Sequence, residues 1–168
     1  KNLVDYFAFY HLPKSFFLSA EEIRNRYLEI SRQIHPDFHT DAAQSVQSVS
    51  QDLSALNNQA YQTLTSPELR LQHLLQLFDL SAELSATELP KAFLFQVMEI
   101  QENLQNGEIE LAESELEIME NEFAEAEFQI LQRFDFAAAE DKKKCLQEII
   151  PFFLKKKYLK RIAEQINS

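Results

Sequence analysis

Apolar residues recur at helical spacing through most of this chain. Ile23, Tyr27, Ile30 and Ile34 make one stripe, and Val46, Val49, Leu53, Leu56, Ala60 and Leu64 make a broader one. Punctuation residues divide the pattern into elements. A short aromatic helix is predicted from Asp5 to Tyr10, stopped by Leu12 and Pro13. Ser19 opens the next helix and Glu22 completes a capping box, which satisfies backbone donors that the first turn leaves free. That helix runs to Ile34, and the following one spans Ala42 to Thr63; two long helices joined by a loop pair antiparallel. Ser66 and Pro67 start a fourth helix ending near Phe78.

The stretch from Asp79 to Glu88 is short, polar and without an apolar run, and predicts a domain boundary. Beyond it, Pro90 begins a helix to Gln105, closed by Asn106 and Gly107, where glycine supplies a left-handed turn at no steric cost. A long helix follows from Glu108 to Phe134, with Leu111, Leu116, Ile118, Met119 and Phe123 as its apolar face. A last helix covers Ala139 to Ile166, and Pro151 is expected to kink it by deleting a ladder bond. The fold class is therefore all-α, with a helical hairpin and short flanking helices over residues 1–80 and a three-helix bundle over residues 81–168.

Composition sharpens this. A single glycine in 168 residues leaves almost nothing for primed hairpin turns, which removes β architectures. No window reaches about 18 uncharged apolar residues, and no basic segment precedes an apolar run at the start. The expectation is a cytoplasmic chain with no membrane partner. Cys145 is alone, so neither a disulfide framework nor a thiolate zinc cage is expected. A net charge of −11 opposes general nucleic-acid binding. The acid is concentrated: nine glutamates and no base lie between Glu108 and Glu127, while Lys142 to Lys144 and Lys155 to Lys157 are basic. That arrangement predicts two antiparallel helices of complementary charge, with the glutamates on a solvated face rather than around a metal.

One tripeptide says more than the periodicity does. His35, Pro36 and Asp37 follow a helix whose Arg24, Arg26 and Arg32 project away from its apolar stripe. Pro36 excludes the residue before it from helical geometry and offers no N–H, so His35 and Asp37 are expected in a stiff, exposed turn that presents them to a partner protein. His35 and His39 have a metal-ligand spacing only on an intact helix, which Pro36 breaks, so no metal or cofactor is expected. A Ser, His and Asp triad would lack a nucleophile elbow, and no catalytic residue is expected. His11 and His73 read as packing or surface residues.

These residues carry a resemblance. Asp5, Tyr6 and Phe7, Leu12 and Pro13, Arg26, Arg32, the His35-Pro36-Asp37 turn, and Asn58, Gln59, Ala60, Tyr61, Thr63 and Leu64 resemble the J domain of the HscB family of co-chaperones. Ala92, Phe93, Leu94, Glu99, Glu102 and Leu104 resemble the start of that family's C-terminal bundle, and Lys157 to Arg161 its closing helix. Phe38 and His39 depart from the usual lysine and phenylalanine after the turn. No zinc-binding cysteine pair precedes the J-domain pattern, which favours the bacterial form.

The resemblance implies an adaptor with two partners. Its J domain would stimulate a DnaK-class chaperone ATPase of the HscA type through His35, Pro36, Asp37, Arg24, Arg26 and Arg32. Its bundle would hold the iron-sulfur scaffold IscU through Leu94, Phe95, Met98, Glu99, Glu102 and Tyr158. Two alternatives stay open: a J-domain co-chaperone with a different client, and a helical adaptor in which the turn is inert.

Overall fold

The computed structural model describes residues 3–34 and 44–168, and every described element is helical. The chain divides into two compact units, Lys1–Asp79 and Leu80–Ser168.

The first unit holds α1 (Tyr6–Phe9), α2 (Ala20–Gln33), α3 (Gln44–Thr65) and α4 (Pro67–Leu77). Local chemistry sets the starts of three of them: the side chains of Asp5, Ser19 and Ser66 accept from the backbone N–H groups of Ala8, Glu22 and Leu69. Helices α2 and α3 lie antiparallel, since Ser31 meets Asn57 whereas the tilted rings of Tyr27 and Tyr61 meet at 4.6 Å between centroids. Phe7, Tyr10, Ile23, Ala60, Leu64, Leu71, Leu74 and Leu75 are buried and form the core of this unit. Val49 departs from the predicted stripe and is exposed.

Long-range polar contacts fix how these helices meet. The buried Tyr10 hydroxyl lies 2.7 Å from Asn57 Oδ1 and 3.0 Å from the Asn57 carbonyl oxygen, while the Asn57 amide donates to the Tyr27 carbonyl and to Ser31 Oγ. Burial pushes the Tyr10 phenol far above its ordinary value, so the group stays a neutral hydroxyl. His73 on α4 is buried and its Nε2 accepts from the Tyr6 backbone N–H at 3.1 Å, satisfying a donor that opens α1. Its ring also stacks on Phe7. Arg70 runs beneath the surface, donating from Nε to the Leu64 carbonyl at 2.7 Å and from its guanidinium to the Phe16 carbonyl.

The second unit contains α5 (Ser81–Ala86), α6 (Lys91–Gln105), α7 (Ile109–Phe136) and α8 (Ala139–Ile166). Helix α5 falls inside the stretch read as a domain boundary; six residues rich in Ser and Ala carry too little apolar period to announce a helix. Gly107 closes α6 with a φ of +81°, as its sequence position predicts. Helices α6, α7 and α8 bury Phe93, Val97, Ile100, Ala112, Leu116, Met119, Leu159 and Ile162 in one core. Leu111 and Ile118, expected on the buried face of α7, are exposed instead.

Helix α8 passes through Pro151 without a break. At 100° per residue, its buried positions up to Phe153 (Cys145, Leu146, Ile149, Ile150, Phe153) and those beyond it (Leu159, Ile162) differ by roughly two fifths of a turn. The change of face coincides with the start of α6, which accompanies only the second half of α8, where Phe93 meets Tyr158. The charge complementarity predicted between α7 and α8 is only partly formed. Lys156 reaches Glu127 at 3.0 Å and Arg133 pairs with Glu148, but Lys142 donates to the Phe134 carbonyl and Lys144 pairs with Asp141 of its own helix. Glu127 itself is buried, not solvated.

Candidate functional site

The two sets of residues singled out in the sequence fall in different units. His35, Pro36 and Asp37 lie outside the described residues, as do Phe38 and His39. Helix α2 carries the chain to Ile34, whose N–H still bonds back to Ile30, so the tripeptide follows directly on the helix end. The arginines of α2 are not gathered into one patch. With Ile23 buried and Tyr27, Ile30 and Ile34 half-buried, Arg24 and Arg26 flank this stripe on opposite sides, and Arg32 faces away from it. Arg32 sits in the last turn, where the helix dipole favours a cation. Arg26 lies 3.5 Å from Glu29, an exposed pair that leaves its charge largely available to solvent.

On the other side of the hairpin, Tyr27 donates to Asn58 Oδ1 at 3.2 Å and Tyr6 approaches Gln59 Oε1 at 3.5 Å. Asn58, Gln59 and Tyr61 thus tie α3 to α2 and α1. The resemblance pointed to this string of residues, and its structural work is visible here.

In the second unit, Phe95, Met98, Glu99 and Glu102 occupy positions i, i+3, i+4 and i+7 of α6 and share its outward face. Phe95 is 63% exposed and Met98 59%, although Phe93 and Val97, each close to one of them in sequence, are buried in the bundle. This apolar pair stands in solvent beside two exposed carboxylates. Leu94 and Tyr158 differ from that pair: each is half-buried and packs against the core cluster. Tyr158 meets Phe93 edge to face at 6.0 Å. The candidate face therefore has two exposed anchors and two that also support the bundle.

Lys155, Lys156 and Lys157 form one basic run along the chain, but the structure gives each a different task. Lys156 pairs with buried Glu127, and Lys157 lies over the Phe153 ring at 4.8 Å. Lys155 sits over Phe93, Phe123 and Phe152 at 5.7, 5.2 and 5.4 Å, one ring from each of α6, α7 and α8. Only the apolar spacing of Lys155 with Leu159 and Ile162, an unusual register for lysine, hints at this in the sequence.

Among the described residues no group of three or more His, Cys, Asp or Glu side chains is arranged to hold a metal ion. None of the described helices is long and apolar enough to cross a membrane.

No protein-family model matches the chain. Among curated proteins it is 30% identical to the human iron-sulfur cluster co-chaperone protein HscB over 167 residues, which is 96% of this chain and 67% of that protein. The crystal structure of human co-chaperone protein HscB superposes with a TM-score of 0.70 at 26% identity, covering 99% of this chain and 82% of that one. Chaperone HscB from Vibrio cholerae shares the fold with a TM-score of 0.60 at 22% identity, covering 97% of this chain and 99% of that one.

Proposed function

The chain belongs to the HscB family of iron-sulfur cluster co-chaperones, and we propose that it couples a DnaK-class chaperone ATPase of the HscA type to the scaffold protein IscU. The observation that carries this reading is the relation to human HscB across nearly the whole chain, so that both candidate surfaces lie within it. In this reading the first unit is a J domain. Its His35-Pro36-Asp37 turn touches the ATPase, where Asp37 accepts charge-assisted hydrogen bonds from a partner arginine and Pro36 lowers the ordering cost. Arg24, Arg26 and Arg32, spread around α2, attract an acidic surface of the ATPase from several approach angles.

The second unit docks the scaffold on the outward face of α6 and on Tyr158. Phe95 and Met98 supply apolar anchors that water leaves on binding, and Glu99 and Glu102 supply an acidic rim for basic groups of the scaffold. Bond-breaking chemistry belongs to the ATPase; the chain contributes contacts, not catalytic groups. The proposed setting is the cytoplasm, and a lone buried Cys145 fits a reducing compartment.

Steady-state ATP hydrolysis by an HscA-type chaperone tests the whole reading. Adding the chain should raise the rate, and adding IscU together with the chain should raise it further. A rate unchanged by the chain would remove the J-domain half. A rate indifferent to IscU, with no complex between chain and scaffold on titration, would remove the other.

A further inference from the structure

Lys155 occupies an unusual register for a lysine. It lies on the inward stripe of the second half of α8, in register with Leu159 and Ile162, both of which are buried. Its ammonium group rests over three phenylalanine rings contributed by three helices. The chain carries 27 acidic residues, yet among the described residues no carboxylate lies within ion-pair distance of this ammonium. Neighbouring Lys156, by contrast, has Glu127.

The rings hold the cation by their negative faces, an attraction that fixes its position without neutralising it. Phe123, Phe152 and Lys155 are each half-exposed, so the group remains open to a partner. Tyr158, a residue of the face proposed above for the scaffold, lies one turn along α8 from Lys155 and meets the same Phe93 ring, so the caged ammonium borders that face at its Tyr158 edge. That face is consequently two-signed. Counted along α6 from Phe93, Glu99 and Glu102 lie roughly 9 to 14 Å farther on at the helical rise and on the outward side of the helix, so the cation and the carboxylates stand at opposite ends of the face.

We propose that Lys155 is an orienting residue of the α6 and α8 docking face, taking a carboxylate of the bound scaffold protein while Glu99 and Glu102 take its basic groups. The inference rests on the docking reading and deepens it. A scaffold turned end for end would set its acid against Glu99 and Glu102 and its base against Lys155, so the charge pattern selects one orientation by repulsion as well as attraction. A flexible lysine on an open surface would pay side-chain entropy for such a contact; three rings have already restricted this one.

The test uses the full chain and IscU. Calorimetric titration would compare the wild type with Lys155→Met, which keeps a flexible apolar side chain against the rings, and Lys155→Arg, which keeps the charge. Lys155→Met should weaken binding about tenfold or more, and Lys155→Arg should stay within about threefold of wild type. In the wild-type complex, zero-length carbodiimide coupling should join the Lys155 amine to an Asp or Glu of the scaffold, read by mass spectrometry. Methionine binding within twofold of wild type, or coupling that forms at other lysines but never at Lys155, would overturn the proposal. The coupling decides the matter even if Lys155→Met lowers the melting temperature. Wild-type chain that fails to bind the scaffold at all overturns the docking reading and this inference with it, whereas binding that ignores Lys155 overturns this inference alone.

Discussion

Glu127 of α7 and Lys156 of α8 form a 3.0 Å ion pair in which the glutamate is only 6% exposed while the lysine reaches out to solvent. The second carboxylate oxygen, Oε2, has no hydrogen-bond partner. Removing the lysine leaves a buried charge with nothing to offset its lost hydration. Lys156→Met should therefore destabilise the second unit by about 1 to 3 kcal/mol, less than for a fully buried pair because Lys156 is partly hydrated. Glu127→Leu combined with Lys156→Met should recover most of that loss. Chemical denaturation of the two variants checks both statements; equal stability of the single and double variants would show that the pair contributes nothing specific.

For the His35-Pro36-Asp37 turn, the functional reading separates stability from activity. Asp37→Asn and His35→Gln should each abolish stimulation of the chaperone ATPase while the melting temperature moves by no more than a degree or two, the result expected of residues whose proposed work is contact with a partner. Retained stimulation would falsify the assignment of the first unit as a J domain.

Arg24, Arg26 and Arg32 surround the exposed part of α2 instead of forming a patch. Their contribution to association should accordingly be graded. Arg26→Glu or Arg32→Glu should each slow docking onto the ATPase severalfold, and the triple reversal far more, with all on-rates converging as salt rises toward 0.5 M and the screening length shortens. Stopped-flow association measured across a salt series decides this.

The α6 face predicts two classes of variant. Phe95→Ala and Met98→Ala should weaken scaffold binding by about 1 to 3 kcal/mol at constant melting temperature, because both side chains stand in solvent before the complex forms. Leu94→Ala and Tyr158→Ala should lose affinity and also about 1 to 2 kcal/mol of stability, because each is half-buried against the bundle core. Melting curves and titrations on the same four samples separate the classes.

His73 makes the first unit sensitive to acid. Burial holds its pKa below the ordinary value of 6.5, and the neutral Nε2 is needed to accept from Tyr6 N–H. The unfolded chain takes up a proton as pH falls through 6.5, whereas the folded chain resists it until lower pH. Stability from this group is thus complete above that value and is lost as pH falls toward the depressed folded pKa. His73→Gln should lower stability at pH 7.5 and flatten the fall between pH 7 and pH 5, as followed by thermal melts.

Much of the fold is legible in the chain because its signals are local. Ser19, Ser66 and Gly107 mark helix ends through chemistry that acts within a few residues, and the ends lie where those residues put them. What stayed hidden depends on partners far along the chain. His73, Arg70 and Asn57 find theirs 67, 54 and 47 residues away, and nothing in their own neighbourhoods announces it. Helix α8 is hard to read for a related reason: its buried face shifts between Phe153 and Leu159, so no single stripe fits both halves. Leu111 and Ile118 look like core on α7 by residue type alone, but the bundle lies against the adjacent face carrying Ala112, Leu116 and Met119. The α6 face was named from resemblance; its composition did not reveal that Phe95 and Met98 stand free while Leu94 and Tyr158 are half in the core.

Asn57 has one more consequence, for how the first unit comes apart. Helix α1 has four residues, far below the length at which a helix persists alone in water. It ends at Tyr10, whose hydroxyl is bonded to the same asparagine that grips Tyr27 and Ser31 of α2 from α3. Three segments thus share a single amide side chain. Releasing any one of them strands buried polar groups on the other two, so fraying at the start of the chain is coupled to opening of the hairpin. Amide protons of α1 should exchange with solvent as slowly as those in the middle of α3, and all of them should speed up together when Asn57 is replaced by alanine.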